Sequence, residues 1–190
     1  MNSARHIKKL NGYINTGEYT IYFQDEVHFY RSTTIRSMWS KKGRQPRIPS
    51  APTQENIKLS GFVNPETGEL SLYECSTFNY RTTLECFRAL MSVQPKDKKT
   101  LIILDNASWH KKAVRLSAED PWYKNVQFLF LPPYSPDYNP IERVWRLVRY
   151  ERTRNRYFEG IDVLRGVLYD YFIQYMRPNR KFQALCSNYK

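Results

Sequence analysis

The feature that most constrains the fold is a short, fully apolar run that ends at an acidic residue. Thr100 to Leu104 contains only β-branched or aliphatic residues, and Asp105 and Asn106 follow it directly. Such a run is typical of a strand covered on both faces in the middle of a sheet, and it is far too short to span a bilayer. The sequence therefore predicts a sheet covered by helices, with polar chemistry where this strand ends.

Strand and helix patterns before and after this run predict the rest of the sheet. β-branched and aromatic residues favour strands, and apolar residues at i, i+3, i+4 and i+7 favour helices. Strands are predicted at Tyr19–Phe29, Ile35–Trp39, Ile57–Val63, Leu70–Glu74 and Val126–Leu131, with a hairpin turn at 64–69, and helices at Thr82–Val93, from Ile141 onwards and at Ile161–Tyr175. Asn139 is expected to cap the second helix, with Pro140 at its first position. The sum is a mixed α/β sheet with helices packed on it.

The charge balance points to a polyanionic partner. Lys and Arg total 30 against 18 Asp and Glu, which gives the 190-residue chain a formal net charge of +12. A balance this basic most often marks a nucleic-acid-binding protein, although a merely soluble basic protein also fits it. The segment Lys41–Gln54 combines prolines with Lys41, Lys42, Arg44 and Arg47. We therefore expect an exposed loop whose cations contact nucleic acid.

Several other classes of protein find no support in the sequence. Cys75, Cys86 and Cys186 are an odd, widely spaced set, typical of reduced thiols and not of a disulfide framework or a zinc site. The basic start of the chain precedes no apolar stretch, so no signal peptide is predicted. No glycine-rich phosphate loop, His-Glu-x-x-His helix or Gly-x-Ser-x-Gly elbow is present. We expect a cytoplasmic protein without a membrane partner.

Three acidic residues are candidates for one site, and two of them stand where acids are unfavourable. Asp25 lies in an apolar strand pattern, Asp105 follows the apolar run, and Glu142 lies in the first turn of a helix. Ordinary roles remain open for two of them: Asp105 as a helix cap, and Glu142 in a capping box with Asn139. Glu26 could also take the place of Asp25 as the first acid. If the three acids converge, they repel one another unless a hard cation such as Mg²⁺ or Mn²⁺ lies between them.

The residues around these acids resemble a known family. The strings FQDEVHFY, LIILDNASWH and LPPYSPDYNPIERVW surround the three acids in this order. They are similar to the three catalytic blocks of the Tc/mariner superfamily of DDE transposases, in particular its bacterial insertion-sequence branch. The resemblance covers the chain from about Tyr19 to Tyr157. The third block, Pro-Pro-Tyr-Ser-Pro followed by Asn-Pro-Ile-Glu, is the most specific.

This resemblance implies a fold, a cofactor and a reaction. The fold would be RNase H-like α/β, a mixed five-stranded sheet flanked by helices. Asp25, Asp105 and Glu142 would be the catalytic residues and the ligands of two Mg²⁺ or Mn²⁺ ions, which assist in-line displacement at phosphorus. The implied reaction cleaves phosphodiester bonds at transposon ends and joins 3′-hydroxyl ends to target DNA, expected at TA. A general nuclease of the same fold and an inactive nucleic-acid-binding fragment remain alternatives.

Residues near the acids are expected to assist them. Asn106 and His110 belong to the second block and are expected to contact substrate or to orient a metal ligand. Arg146 lies one helical turn after the third acid, on the same face, where it would meet phosphate. Arg143 and Arg149 are expected DNA contacts on the same helix, whereas a solvated helix face is the ordinary explanation of such a basic run.

The same resemblance guides the expected domain organisation. Residues 1–17 are expected to be a lead-in linker or helix end, 18–176 the catalytic domain and 177–190 a C-terminal tail. Full-length family members carry an N-terminal helix-turn-helix region, for which no room precedes Asp25. A catalytic domain alone is therefore expected, whether a split-frame product, a truncation or a fragment. The expected partners are DNA, a second copy of the chain on DNA, and a polypeptide that supplies the missing region, at the bacterial nucleoid.

The spacing of the last two acids differs slightly from the family pattern. Asp105 and Glu142 are separated by 36 residues, a couple more than is usual. The extra residues are expected at 117–124, as a loop insertion before the next strand. Such an insertion leaves the three acids in place.

Overall fold

The computed structural model describes residues 3–44, 46–95, 97–133 and 138–187. Within these ranges one five-stranded sheet is flanked by α-helices. The strands are β1 Tyr19–Tyr30, β2 Asn56–Val63, β3 Leu70–Glu74, β4 Lys99–Leu104 and β5 Val126–Phe130. The α-helices are α1 Ser3–Thr16, α2 Tyr80–Val93, α3 Ser108–Ser117, α4 Ile141–Val148, α5 Ile161–Phe172 and α6 Arg180–Cys186. None of the helices in these ranges is long and apolar enough to cross a membrane.

The sheet is mixed, in the strand order β3-β2-β1-β4-β5. The β1–β2 and β2–β3 pairs are antiparallel, while β1–β4 and β4–β5 are parallel. The parallel pairing of β1 with β4 ends at Phe23 opposite Ile103, although β1 continues to Tyr30. The second half of β1 therefore extends beyond the end of β4. The chain segments that follow β4 and β5 can reach β1 at this place.

Alternation along β1 divides the core between the two faces of the sheet. Ile21, Phe23 and Val27 face a cluster that includes buried side chains of α4, α5 and α6. Tyr22 faces a second cluster with buried side chains of α2 and α3. Side chains of successive strand residues point to opposite faces, so neighbouring residues of β1 serve different layers. The predicted sheet with helices on its faces is confirmed.

The 64–69 turn joins β2 and β3, as the sequence predicts. The Asn64 side chain accepts hydrogen bonds from the backbone N–H groups of Glu66 and Thr67. Gly68 has a φ of 74°, and a Cβ there would lie 2.2 Å from the Asn179 carbonyl oxygen. Only glycine fits this position, where the turn meets the residue that caps α6.

Two strand predictions need correction. Residues 35–39 form no strand, because Thr34 makes a single bridge to Arg154 and no strand within the described ranges pairs with the segment. The side chain of Trp39 is fully exposed. The strand predicted at Val126–Leu131 exists as β5, but it is the edge strand of the sheet and its Gln127 side chain is exposed. The exposed loop predicted over 41–54 is confirmed where it is described.

The helices also differ from expectation at several points. Asn139 does not cap α4, because its side-chain N–H donates to the Gln24 carbonyl, 3.0 Å away. The predicted 117–124 loop contains a 3₁₀ turn, and α3 before it was not predicted. The stretch assigned to a tail contains α6, which buries Phe182 and Cys186 completely in the core. The boundaries 18–176 stay a prediction, but α1 and α6 both pack against the core of that region.

Candidate active site

Asp25 lies in β1 with its side chain on the face covered by α4. It stands opposite Gly61 of β2. The indole N–H of Trp145, a buried residue of α4, donates a hydrogen bond of 3.0 Å to Oδ2 of Asp25. The first of the three predicted acids is therefore held from the helix that also carries the third.

Asp105 follows the last residue of β4. Extension of the parallel register from Phe23 and Ile103 by two residues sets Asp105 beside Asp25. Its Oδ1 accepts hydrogen bonds from the backbone N–H of Ala107 at 2.9 Å and from Nδ1 of His110 at 2.5 Å. Oδ2 has no hydrogen-bond partner among the described residues, and 51% of the side chain is exposed. One carboxylate oxygen is thus anchored while the other is available.

Glu142 lies in the first turn of α4. The capping role open to it in the sequence is not observed, because the helix has no side-chain cap hydrogen bond. The side-chain amide of Asn139 ties the chain just before this helix to the backbone of Gln24, the residue before Asp25. Within the described parts of the chain the Glu142 carboxylate makes no hydrogen bond or ion pair, so α4 alone positions it.

The electrostatics show that the three acids are neighbours. Burial and the negative charge of Glu142, with a smaller contribution from Asp105, raise the pKa of Asp25 to about 7. Burial also acts to raise the pKa of Asp105, but hydrogen bonds from His110 and Ala107 outweigh it and lower that pKa. No three His, Cys, Asp or Glu side chains of the described residues are close enough together to hold a metal ion. The acids repel one another at this edge of the sheet without converging on one point.

His110 joins two carboxylates. Its Nδ1 lies 2.5 Å from Asp105 Oδ1 and its Nε2 lies 3.3 Å from Glu26 Oε1. Burial acts to lower the pKa of His110, but the bonds to Asp105 and Glu26 outweigh it and raise the pKa to about 9. The predicted role of His110 as a residue that orients an acid therefore has a structural basis.

The other predicted site residues either bond to backbone carbonyls or are exposed. The Asn106 side-chain N–H donates to the Leu131 carbonyl, and Arg143 donates to the Leu185 carbonyl. The remaining predicted DNA-contacting cations have exposed side chains; they are Arg146, Arg149, Lys41, Lys42, Arg44 and Arg47. Residues 134–137 of the third sequence block lie outside the described residues.

Two residues that the sequence reasoning did not assign to the site belong to its surroundings. Trp145 has the i, i+4 spacing from Ile141 that is typical of a core residue of an amphipathic helix, yet it bonds to Asp25. Glu26 appeared only as an alternative to Asp25, whereas it faces the opposite side of the sheet and bonds to His110 and Trp109. The alternation of β1 was the available signal, because two adjacent acids in a strand point to different faces.

Comparison with known proteins identifies the family. A family model described as DDE superfamily endonuclease matches residues 20–165. The chain belongs to the DDE superfamily of endonucleases. The insertion element IS630 uncharacterized 39 kDa protein of Shigella sonnei is 27% identical over 143 residues, which are 74% of this chain and 40% of that protein. The uncharacterized protein y4pE/y4sA of Sinorhizobium fredii is 40% identical over 62 residues, 33% of this chain and 42% of that protein.

Solved structures extend the comparison to the fold. The Mos1 strand transfer complex matches with a TM-score of 0.67 and 15% identity, over 100% of this chain and 59% of that chain. The Mos1 mariner paired end complex with Mn matches with a TM-score of 0.68 and 17% identity, over 98% and 57%. The predicted RNase H-like fold and the resemblance to Tc/mariner DDE transposases are confirmed. This DDE domain spans about two fifths of the length of the curated relatives.

Proposed function

We propose that this DDE domain cleaves phosphodiester bonds at transposon ends and joins 3′-hydroxyl ends to target DNA, with TA as the expected target. One observation carries the proposal: Asp25, Asp105 and Glu142 come from distant segments to one edge of the sheet, where burial and the charges of Glu142 and Asp105 raise the pKa of Asp25 to about 7. Like charges held close together destabilise a fold, so such an arrangement is typical of a functional site. Membership of the endonuclease family supports the same reaction class.

The chemistry of the three acids fits a hard divalent cation. Carboxylate oxygens are the ligands that Mg²⁺ and Mn²⁺ prefer. Asp105 offers Oδ2 while Oδ1 is anchored by His110, and Glu142 has no competing bond within the described chain. Asp25, Asp105 and Glu142 would hold two Mg²⁺ or Mn²⁺ ions. Bound there, the ions would activate the attacking oxygen and stabilise the leaving oxygen of the displacement.

The chain's own basic residues would hold the DNA. Arg146 and Arg149 are exposed on and just after α4, the helix that carries Glu142. The loop with Lys41, Lys42, Arg44 and Arg47 is exposed, and the chain seven residues before it is held by a hydrogen bond from the Asn155 N–H to the Thr34 carbonyl. Contacts of this kind with phosphates supply affinity without reading sequence. A second copy of the chain on DNA and a polypeptide with a helix-turn-helix region complete the proposed assembly.

A cleavage and joining assay tests the proposal. A labelled DNA duplex with transposon ends is incubated with the protein and Mg²⁺, Mn²⁺ or EDTA, using wild type, Asp105→Ala and, as a control, Asp170→Ala. Asp170 is an exposed acid of α5, so its replacement should leave activity unchanged. We expect nicking that requires the metal and disappears only in Asp105→Ala.

The products separate the candidate activities. Joined strands support a transposase, whereas nicks without joined strands indicate a general nuclease. If wild type and Asp105→Ala bind DNA equally and neither cuts it, even with a helix-turn-helix polypeptide added, the proposal is wrong and the domain only binds nucleic acid.

A further inference from the structure

Glu26 is a buried acid next to the proposed active site. It neighbours Asp25 in β1 but faces the layer of α2 and α3, and only 10% of its side chain is exposed. Its Oε1 accepts hydrogen bonds of 3.3 Å from the indole N–H of Trp109 and from Nε2 of His110. Both donors lie in the first turn of α3, directly after the connection that carries Asp105. Glu26 therefore joins the central strand to the start of that helix.

His110 carries this connection on to Asp105. Its side chain is 2% exposed, and its two ring nitrogens contact acids on opposite sides of the ring. An imidazole held at Nε2 cannot turn freely about its own bonds, so the direction of Nδ1 is fixed as well. Nδ1 in turn fixes Oδ1 of Asp105 at 2.5 Å.

We propose that Glu26 is a positioning residue that, through His110, orients Asp105 for metal binding. The inference rests on the proposed function, because it takes Asp105 to be a metal ligand. Asp105 lies beyond the last residue of β4 and 51% of its side chain is exposed, so its direction depends on the two hydrogen bonds at Oδ1, from the Ala107 N–H and from His110. Orientation of one carboxylate oxygen by a histidine leaves the other oxygen aimed at the cation. Partners of this kind typically contribute 10- to 100-fold to metal affinity.

Titration of the whole chain with Mn²⁺, followed by electron paramagnetic resonance, measures this contribution without DNA or turnover. We expect Glu26→Ala to weaken Mn²⁺ binding by about 10-fold or more. Glu26→Gln should retain most of the affinity, because its amide oxygen still accepts from Trp109 and His110. Glu119→Ala removes an exposed acid beyond the other end of α3 and should have no effect.

A double-variant comparison separates positioning from a purely structural role. If Glu26 acts through His110, Glu26→Ala should cause no further loss of Mn²⁺ affinity once His110→Ala is present. If the double variant loses as much Mn²⁺ affinity as the two single variants lose together, the proposal is overturned. Thermal unfolding of each variant identifies general destabilisation. If Glu26→Ala fails to fold, Glu26→Met takes its place, because methionine fills the space but offers no oxygen to Trp109 and His110; affinity equal to that of wild type would overturn the proposal.

A metal-free measurement distinguishes this proposal from the proposed function. The ring ¹⁵N chemical shifts of His110 should change in Glu26→Ala and also in Asp105→Ala, because each variant removes the acceptor of one ring nitrogen. Shifts that stay the same in Glu26→Ala would overturn the positioning role. If the shifts change as expected but Asp105→Ala binds Mn²⁺ as tightly as wild type, the metal site of the proposed function is wrong instead.

Discussion

Gly61 and Trp145 are packed so closely that no side chain fits between them. A Cβ added to Gly61 would lie 2.5 Å from Cη2 and 2.6 Å from Cζ2 of the Trp145 ring. Gly61 is the residue paired with Asp25 across β1 and β2, and Trp145 donates its indole N–H to Asp25. The position of the indole against the first acid thus depends on the missing side chain at Gly61.

Replacement of Gly61 by alanine should therefore be destabilising. Overpacking of a core typically costs about 1–3 kcal/mol, and the clash involves a rigid ring that also contacts Phe29 and Phe172. Urea denaturation of Gly61→Ala measures the loss. Gly166→Ala is the matched control, because a Cβ there meets nothing within 4 Å in α5. The control should gain about 0.5–1 kcal/mol, and equal stabilities of Gly61→Ala and wild type would contradict the packing argument.

Trp145→Phe should raise the pKa of Asp25 further. The hydrogen bond from the indole N–H favours the ionised carboxylate, so its removal leaves burial and the charge of Glu142 less opposed. A ¹³C NMR titration of the Asp25 carboxyl group in the metal-free protein measures the shift. Trp122→Phe, a change in an exposed ring, should leave the pKa of Asp25 unaltered. A lower pKa in Trp145→Phe would show that the indole does not stabilise the carboxylate.

The raised pKa of Asp25 also predicts how stability depends on pH. The folded protein keeps the proton of Asp25 up to about pH 7, whereas the unfolded chain releases it near the ordinary value of 3.8. Between these values the folded state binds more protons, so this group makes the free energy of unfolding fall as pH rises. Metal-free Asp25→Asn should consequently be more stable than wild type at pH 8, with the difference disappearing near pH 3.5. Denaturation at both pH values tests this, and a wild type that is the more stable at pH 8 would contradict it.

The exposed basic loop should contribute to DNA affinity through phosphates alone. Loss of each phosphate contact lowers the slope of log K against log salt by about 0.9 for duplex DNA. Lys41→Ala with Lys42→Ala should thus reduce the slope by up to about 2 and weaken binding equally for all sequences. Lys98→Ala with Lys124→Ala removes the same charge at the opposite end of the sheet and serves as the control. If both double variants lose the same DNA affinity, the effect comes from the net charge of the protein and not from contacts of the loop.

The burial of α6 predicts that its core residue is essential for stability. Phe182 is completely buried and stacks on Tyr175 with ring centroids 4.2 Å apart. Phe182→Ala should lower the free energy of unfolding by about 3–5 kcal/mol. Arg180→Ala changes an exposed residue of the same helix and should cost far less. Guanidinium denaturation compares the two, and similar small losses would indicate that α6 is not part of the cooperative fold.

Much of the sheet could be predicted from local patterns, because the burial of a strand determines which of its residues are apolar. Thr100–Leu104 is apolar since both faces of β4 are covered, and the run must end where the chain leaves the sheet at Asp105. The residues at 35–39 suggest a strand by their composition, but a strand also needs a neighbour, and the part of the chain that the structure describes offers them none. Pairing is a property of the whole fold that a local pattern does not contain.

The three acids of the candidate site could be proposed from the sequence, whereas the contacts that hold them could not. Asn139 has the identity and position of a helix cap, yet its amide bonds to Gln24, 115 residues away in the sequence. The contact between Glu26 and His110 likewise joins two segments, 84 residues apart, that meet only after folding. Contacts of this range depend on register and helix docking, which a single sequence does not specify.

The helix that carries Glu142, α4, is held at its start by contacts with α6 near the end of the sequence. Arg143 of α4 donates to the Leu185 carbonyl, and the Cys186 thiol lies 3.8 Å from the Pro140 carbonyl oxygen. During translation all three acids leave the ribosome well before α6 does. A nascent chain without α6 therefore possesses every acid of the site but not the packing that fixes the third. Because α6 follows α4 in the order of synthesis, these contacts with the helix of the third acid can form only after α6 has been made.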